Sequence, residues 1–188
     1  MITTLDKGTA LIIIDLQKGI VQLPLAKPFN EILVKVLNLV DAFHEAALPV
    51  VFVNVDHTGA AWSKTRKDSN QQRPTTTVDW NEIIPELKAI ESDFFITKHT
   101  LGAFFETELH NELQKRDITG IVLAGIATSI GVEGTARQAS ELGYNLCFAE
   151  DAMTDLSAEG HEHTIKRIFP RIGEVDCSEK IIATLKSI

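Results

Sequence analysis

Short aliphatic runs alternate with helix-period segments along the chain. Residues 10–16 contain four consecutive β-capable positions, Leu11, Ile12, Ile13 and Ile14, with no polar face between them, which predicts a strand buried on both sides. Ile32, Val36, Leu39 and Phe43 then form one stripe, widened by Leu33, Val40 and Ala47. A helix is therefore expected over residues 28–47, with Pro28 suited to its first turn and Pro49 marking the stop. Residues 49–55 supply a second buried strand. Residues 57–77 are polar, carry Lys64, Arg66, Lys67 and Arg73, and keep no period, as expected of a lid, binding loop or oligomer contact. A short helix over 80–87 should precede a third strand at 93–98. Phe105, Leu109 and Leu113 give another helical stripe before a fourth strand at 120–124.

The next helix is expected over 129–142, with Gly143 as its left-handed stop, followed by a fifth strand at 144–149. Ser157 can cap a helix running to residue 169, and a short strand at 173–175 and a helix over 178–185 complete the order. Such βα repetition predicts an α/β fold with a parallel sheet covered by helices on both faces, a three-layer αβα arrangement. No repeat or low-complexity linker divides the chain, so residues 1–188 read as one domain.

The formal net charge of −8 and the scattered positive residues argue against nucleic acid as a partner. The first apolar run is too short to span a bilayer, and residues 1–7 lack the basic flank and cleavage pattern of an export signal, so a cytoplasmic location without membrane contact is expected. Cys147 and Cys177 stand thirty positions apart inside apolar stretches, a spacing of neither a redox pair nor a thiolate metal motif. Asp56-His57 has no second histidine at useful spacing, and His161 and His163 point to different helix faces, so neither a metal nor a cofactor is expected. A structural or surface role is the simpler reading of both groups.

In an open parallel sheet, ligands gather at the carboxyl ends of strands near a switch in strand order. Three features fall at such ends: Asp15 after the first strand, Lys98 after the third, and the turn from Gly125 to Gly131 after the fourth. Asp15 follows so apolar a run that its carboxylate should be paired, either capping the next loop or serving as a general acid or base. Lys98 either reaches solvent or meets Asp15 and orients it. The glycine-bounded turn either packs closely or aims backbone N–H groups and a helix N-terminus at an anionic group. Thr128 and Ser129 could bind substrate, but hydroxyls at such positions ordinarily cap the helix, and no histidine base is evident beside either. Arg66 and Arg73 could pair with substrate carboxylates or remain solvated.

These blocks resemble those of the isochorismatase-like cysteine hydrolase superfamily: residues 10–17, residues 98–107, and the run from Gly125 through Val132, Thr135, Ala136 and Ala139. Residues 144–152 resemble its fifth-strand block and 161–169 the helix after it. The resemblance implies a six-stranded parallel sheet flanked by helices, and homo-oligomers whose contacts help close the site. It also implies a non-proline cis peptide, here between Ile126 and Ala127, that aligns N–H groups on an oxyanion. Amidase members of the superfamily use an aspartate, a lysine and a cysteine. Asp15 and Lys98 match the first two, but Gly131 stands where the cysteine is expected and offers no side-chain lone pair. Glycine at that position occurs in true isochorismatases, in which the aspartate protonates an enol ether and water captures the oxocarbenium ion. Ile126-Ala127-Thr128, however, is the form common among amidase-like members. The resemblance thus implies a hydrolase of a small molecule, with non-covalent vinyl-ether hydrolysis and Asp15 as acid in first place. An amide hydrolase with another nucleophile, or a binding protein without catalysis, are the alternatives.

Overall fold

The computed structural model describes residues 1–58, 60–68 and 79–187. Its centre is one six-stranded, all-parallel sheet of strands β1 (Thr9–Ile14), β2 (Val50–Val55), β3 (Phe94–Lys98), β4 (Gly120–Ile126), β5 (Asn145–Thr154) and β6 (Glu174–Asp176). They lie in the order β3-β2-β1-β4-β5-β6. From β1 the chain builds outward through β2 and β3, then returns to place β4 against the other edge of β1, so the switch in strand order lies between β1 and β4.

Alternation along β1 explains its unbroken apolar run. After the single helical turn α1 (Lys18–Val21), α2 (Phe29–Glu45) joins α6 (Ser178–Leu185) in the layer faced by Leu11 and Ile13, where Val36, Leu39, Phe43 and Ile181 are buried. Ala10, Ile12 and Ile14 face the opposite layer, where α3 (Leu109–Gln114) and α4 (Glu133–Glu141) contribute Leu109, Leu113, Ala136 and Ala139. Both faces of the strand are dry, and each large aliphatic side chain removed from water contributes about 1.5–3 kcal/mol. The three-layer α/β architecture expected from the pattern is present.

Several expected elements differ in extent. Ala47 is outside α2 with φ of 54°, and Pro28 is the residue before the helix. Residues 80–87 are turns ending in a 3-10 turn at Pro85–Leu87 instead of a helix. The carbonyls of Trp80 and Glu82 accept the N–H groups of Gly19 and Lys18, and Gln17 bridges to Ile83, so long-range bonds hold the backbone a helix would need. Phe105 is 53% exposed and precedes α3, cut off from it by the left-handed turn at Glu106. The helix expected from residue 129 begins as a π-turn over Thr128–Val132. The segment after Ser157 is a short helix, α5 (Ala158–His163), then a π-turn over Thr164–Ile168 and a 3-10 turn over Phe169–Arg171. Ser157 does cap α5, its side chain accepting the Gly160 N–H, and Gly143 has the left-handed φ, 87°. Among the described residues no helix is long and apolar enough to cross a membrane.

Candidate active site

β1 ends at Ile14, and Asp15 follows in the left-handed region with φ of 54°, its N–H donating to Val53 O at 2.8 Å. Aspartate tolerates this conformation better than most residues. The turn swings the carboxyl beneath the strand ends, where it is only 4% exposed. Lys98, the last residue of β3, is 2% exposed and brings its Nζ to 2.8 Å from Asp15 Oδ2 and 3.3 Å from Thr100 O. Two residues far apart in sequence thus form a buried ion pair at the switch in strand order. Asp15 Oδ1 has no hydrogen-bond partner among the described residues. Burial pushes the Asp15 carboxyl up to about 6, while the charge and hydrogen bond of Lys98 pull it down.

β4 delivers the third component. Ile14 pairs with Gly125 so closely that a Cβ on Gly125 would lie 2.1 Å from Ile14 O, and its φ of 121° also suits only glycine. The peptide between Ile126 and Ala127 is cis, at the position implied by the resemblance. Ile126 still pairs with Thr154 in the sheet. The turn after it brings Gly131 against the ion pair: a Cβ there would lie 3.0 Å from Asp15 Oδ2, 3.1 Å from Ile14 Cγ2 and 3.5 Å from Ile126 O. Asp15, Lys98, Ile126, Ala127 and Gly131 all line one cavity of about 620 Å³. Because Ile14 and Asp15 are held by the sheet and by Lys98, Gly131→Ala should overpack this corner. We expect it to cost about 1–3 kcal/mol, read as a lower urea midpoint; an unchanged midpoint would show that the corner has slack.

Not every amide of the turn is available to a ligand. The N–H of Ser129 donates to Asp155 Oδ2 at 2.6 Å, and those of Ile130 and Val132 to Ala127 O at 3.1 Å. Of the turn residues on the cavity wall, Ile130 has its N–H committed in this way, so Ala127 and Gly131 carry the candidate N–H groups for holding an anion. The Thr128 side chain does not cap the helix and is not on the cavity wall; it is fully buried, with Oγ1 donating to Thr154 O at 3.0 Å. A histidine does stand beside it: His161 Nδ1 is 2.8 Å from Oγ1. Since the hydroxyl proton is directed to Thr154, the imidazole is the donor in this contact, and the pair braces the turn away from the cavity.

Four contributing residues carry no clear mark of their role in the linear pattern. Asp155, 2% exposed at the end of β5, holds the N–H groups of Ser129 and Ser157. Gln17, fully buried, accepts from Val55 N at 2.7 Å and donates to Val55 O at 3.1 Å and Trp80 O at 3.3 Å, tying the end of β2 to the wall that carries Trp80. Asp56 and His57, for which a structural or surface role is the simpler reading of the sequence, line the cavity, with Trp62 and Trp80 beside His57 at ring-centroid distances of 5.2 and 5.9 Å. Hydrogen bonding from Thr58 holds the Asp56 carboxyl below its ordinary value. Ile20, Leu23, Leu101, Ile130 and Leu156 complete a mainly apolar lining. Arg66 is exposed and does not line the cavity, and Arg73 lies outside the described residues. Neither cysteine reaches the cavity: Cys147 is buried in β5, where burial pushes its thiol up to about 12.

A carboxyl and an ammonium are thus buried together beside a glycine turn in a cavity of a doubly wound sheet, and comparison with known proteins gives the chain a family. Residues 9–180 match the model of the isochorismatase domain. The chain is 42% identical over 192 residues to the uncharacterized isochorismatase family protein YwoC of Bacillus subtilis (strain 168), covering 99% of this chain and 100% of the relative. It is 30% identical over 184 residues to Nicotinamidase 3 of Arabidopsis thaliana, covering 93% and 87%. A solved isochorismatase family protein from Burkholderia thailandensis superposes with a TM-score of 0.92 at 37% identity, covering 99% of this chain and all of the other. The protein belongs to the isochorismatase family of hydrolases.

Proposed function

We propose that this protein hydrolyses a small molecule without a covalent enzyme intermediate, with an enol ether of the isochorismate type as the reference substrate and Asp15 as proton donor. The observation that carries the reading is Gly131, which sets no nucleophile against Asp15 while Asp15 keeps Oδ1 without a partner among the described residues. The protonated carboxyl transfers its proton to the terminal carbon of the enol ether, leaving an oxocarbenium ion and a carboxylate on Asp15. Lys98, 2.8 Å away, stabilises that carboxylate. Water adds to the cation and returns a proton to Asp15, and the resulting hemiketal collapses to a ketone and an alcohol. The N–H groups of Ala127 and Gly131, both on the cavity wall, are assigned to an anionic group of the substrate.

Charge narrows the substrate further. Among the described residues the cavity wall carries one ammonium, Lys98, beside Asp15, and a second carboxylate, Asp56, but no arginine. Within that reaction type, such a wall favours an enol ether with a single carboxylate and an apolar or ring-shaped body against Trp62, Trp80 and Leu101 over isochorismate itself, which carries two.

The reading is tested by pyruvate release from isochorismate and from an enolpyruvyl ether bearing a single carboxylate. In D2O the product methyl group should carry one deuterium, the mark of carbon protonation. No pyruvate from either substrate anywhere between about pH 5 and 8 ends this reading. The acid form of Asp15 is the working form and its carboxyl titrates near 6, so the rate should be greatest below that pH and fall about tenfold per unit above it. A rate that rises through neutrality would instead mark a general base.

A further inference from the structure

Outside this cavity, two segments bring together basic side chains that the linear sequence scatters. Arg137 from α4 and His163, Arg167 and Arg171 from the segment after Ser157 line one groove of about 510 Å³, with Ile168 and Ile172 in its wall. No carboxylate lines the groove among the described residues. Arg137 is the only one of the three arginines with a carboxylate partner, holding Glu133 Oε1 through Nε at 2.9 Å and Nη2 at 2.8 Å. Arg171 spends only Nε, on the Arg167 carbonyl at 3.1 Å, and the Arg167 guanidinium has no partner among the described residues. In a chain of net charge −8, Arg167 and Arg171, four positions apart and turned to one groove with no carboxylate partner among the described residues, repel one another. That repulsion is relieved by an anion whose oxygens meet several guanidinium forks.

We propose that this groove is a binding site for a small molecule bearing a phosphate or diphosphate group, held by Arg167 and Arg171 with Arg137 at its side, the isoleucines contacting the rest of the ligand. Phosphate fits this set better than a single carboxylate because its three or more oxygens can take bidentate bonds from two guanidinium groups at once. The groove shares no lining residue with the catalytic cavity, so binding here does not rest on the reaction assigned there.

The full chain is titrated with inorganic pyrophosphate at constant ionic strength made up with NaCl, observing the arginine Nε–H signals by NMR. Saturable shifts should appear at Arg167 and Arg171, and the Arg167→Gln/Arg171→Gln protein, whose changes fall on exposed positions, should bind at least about tenfold more weakly. Arg167→Lys, which keeps the charge and loses the fork, should fall between. The proposal is overturned by shifts that follow ionic strength alone, by equal affinity in wild type and the double variant, or by shifts confined to the Lys98 cavity. Binding of an oligonucleotide with none of pyrophosphate also overturns it, since that would mark a polynucleotide surface.

Discussion

Asp15→Asn is expected to lower turnover by about 10³-fold while leaving the fold intact. Asparagine is accepted at the left-handed φ of 54° that residue 15 adopts, and its carbonyl can still accept the Lys98 Nζ hydrogen bond. It reproduces the shape and neutrality of the protonated acid but has no proton to give to carbon. The same variant carries a thermodynamic signature. The Asp15 carboxyl titrates near 6 in the folded protein against 3.8 ordinarily, so between those values the folded chain holds more protons than the unfolded one. Its contribution to stability is present in full below the unfolded value and is lost as the pH rises through the folded one. Asp15→Asn removes that dependence, so the variant should gain about 2–3 kcal/mol relative to wild type between about pH 4 and pH 7. Denaturant titrations at the two pH values measure it. A flat difference would mean that Asp15 titrates normally; unchanged turnover would leave a binding protein that kept the fold.

The strands and the two charged ends were readable for the same physical reason. A strand dry on both faces must be written as a continuous aliphatic run, and a charge placed at the end of such a run, as with Asp15 after Ile14 or Lys98 after Thr97, stands out because burying it demands a partner. The residues that complete the site left no comparable mark. Gln17 does its work through the ends of β2 and the Trp80 carbonyl, partners 38 and 63 positions away. Asp155 follows a threonine at the end of β5, a strand that runs to Thr154 through Glu150 and Asp151, where the pattern ended it at 149. The same long-range bonds at Trp80 and Glu82 defeated the helix expected there, since local periodicity records nothing about which distant donor takes a carbonyl. The arginine groove was hidden for a related reason: Arg137 and Arg167 reach one groove only because Thr164, after α5, bonds to Glu133 at the start of α4.

Lys98→Met should separate the two contributions that set the acid. Methionine keeps the length of the buried stem and removes the charge, so the changes follow from electrostatics with little repacking. In the wild type, burial raises the Asp15 carboxyl and Lys98 opposes it through its charge and its hydrogen bond. Without Lys98 only burial remains, and the descending limb of the rate profile should move upward from near 6 by about one pH unit or more. The maximal rate should fall by about 10–100-fold, because a carboxyl with no cation to receive its charge is a weaker acid toward carbon. Stability should respond in the direction the sign requires: the window in which the folded state holds the extra proton widens upward, so Lys98→Met should lose stability on passing from pH 6 to 8 where the wild type is nearly flat with respect to this group. Carbon-detected NMR of the Asp15 carboxyl gives the titration directly. A limb that stays near 6 in the variant would mean that the ion pair does not govern the acid, and that the proton donated in the reaction sits elsewhere in the cavity.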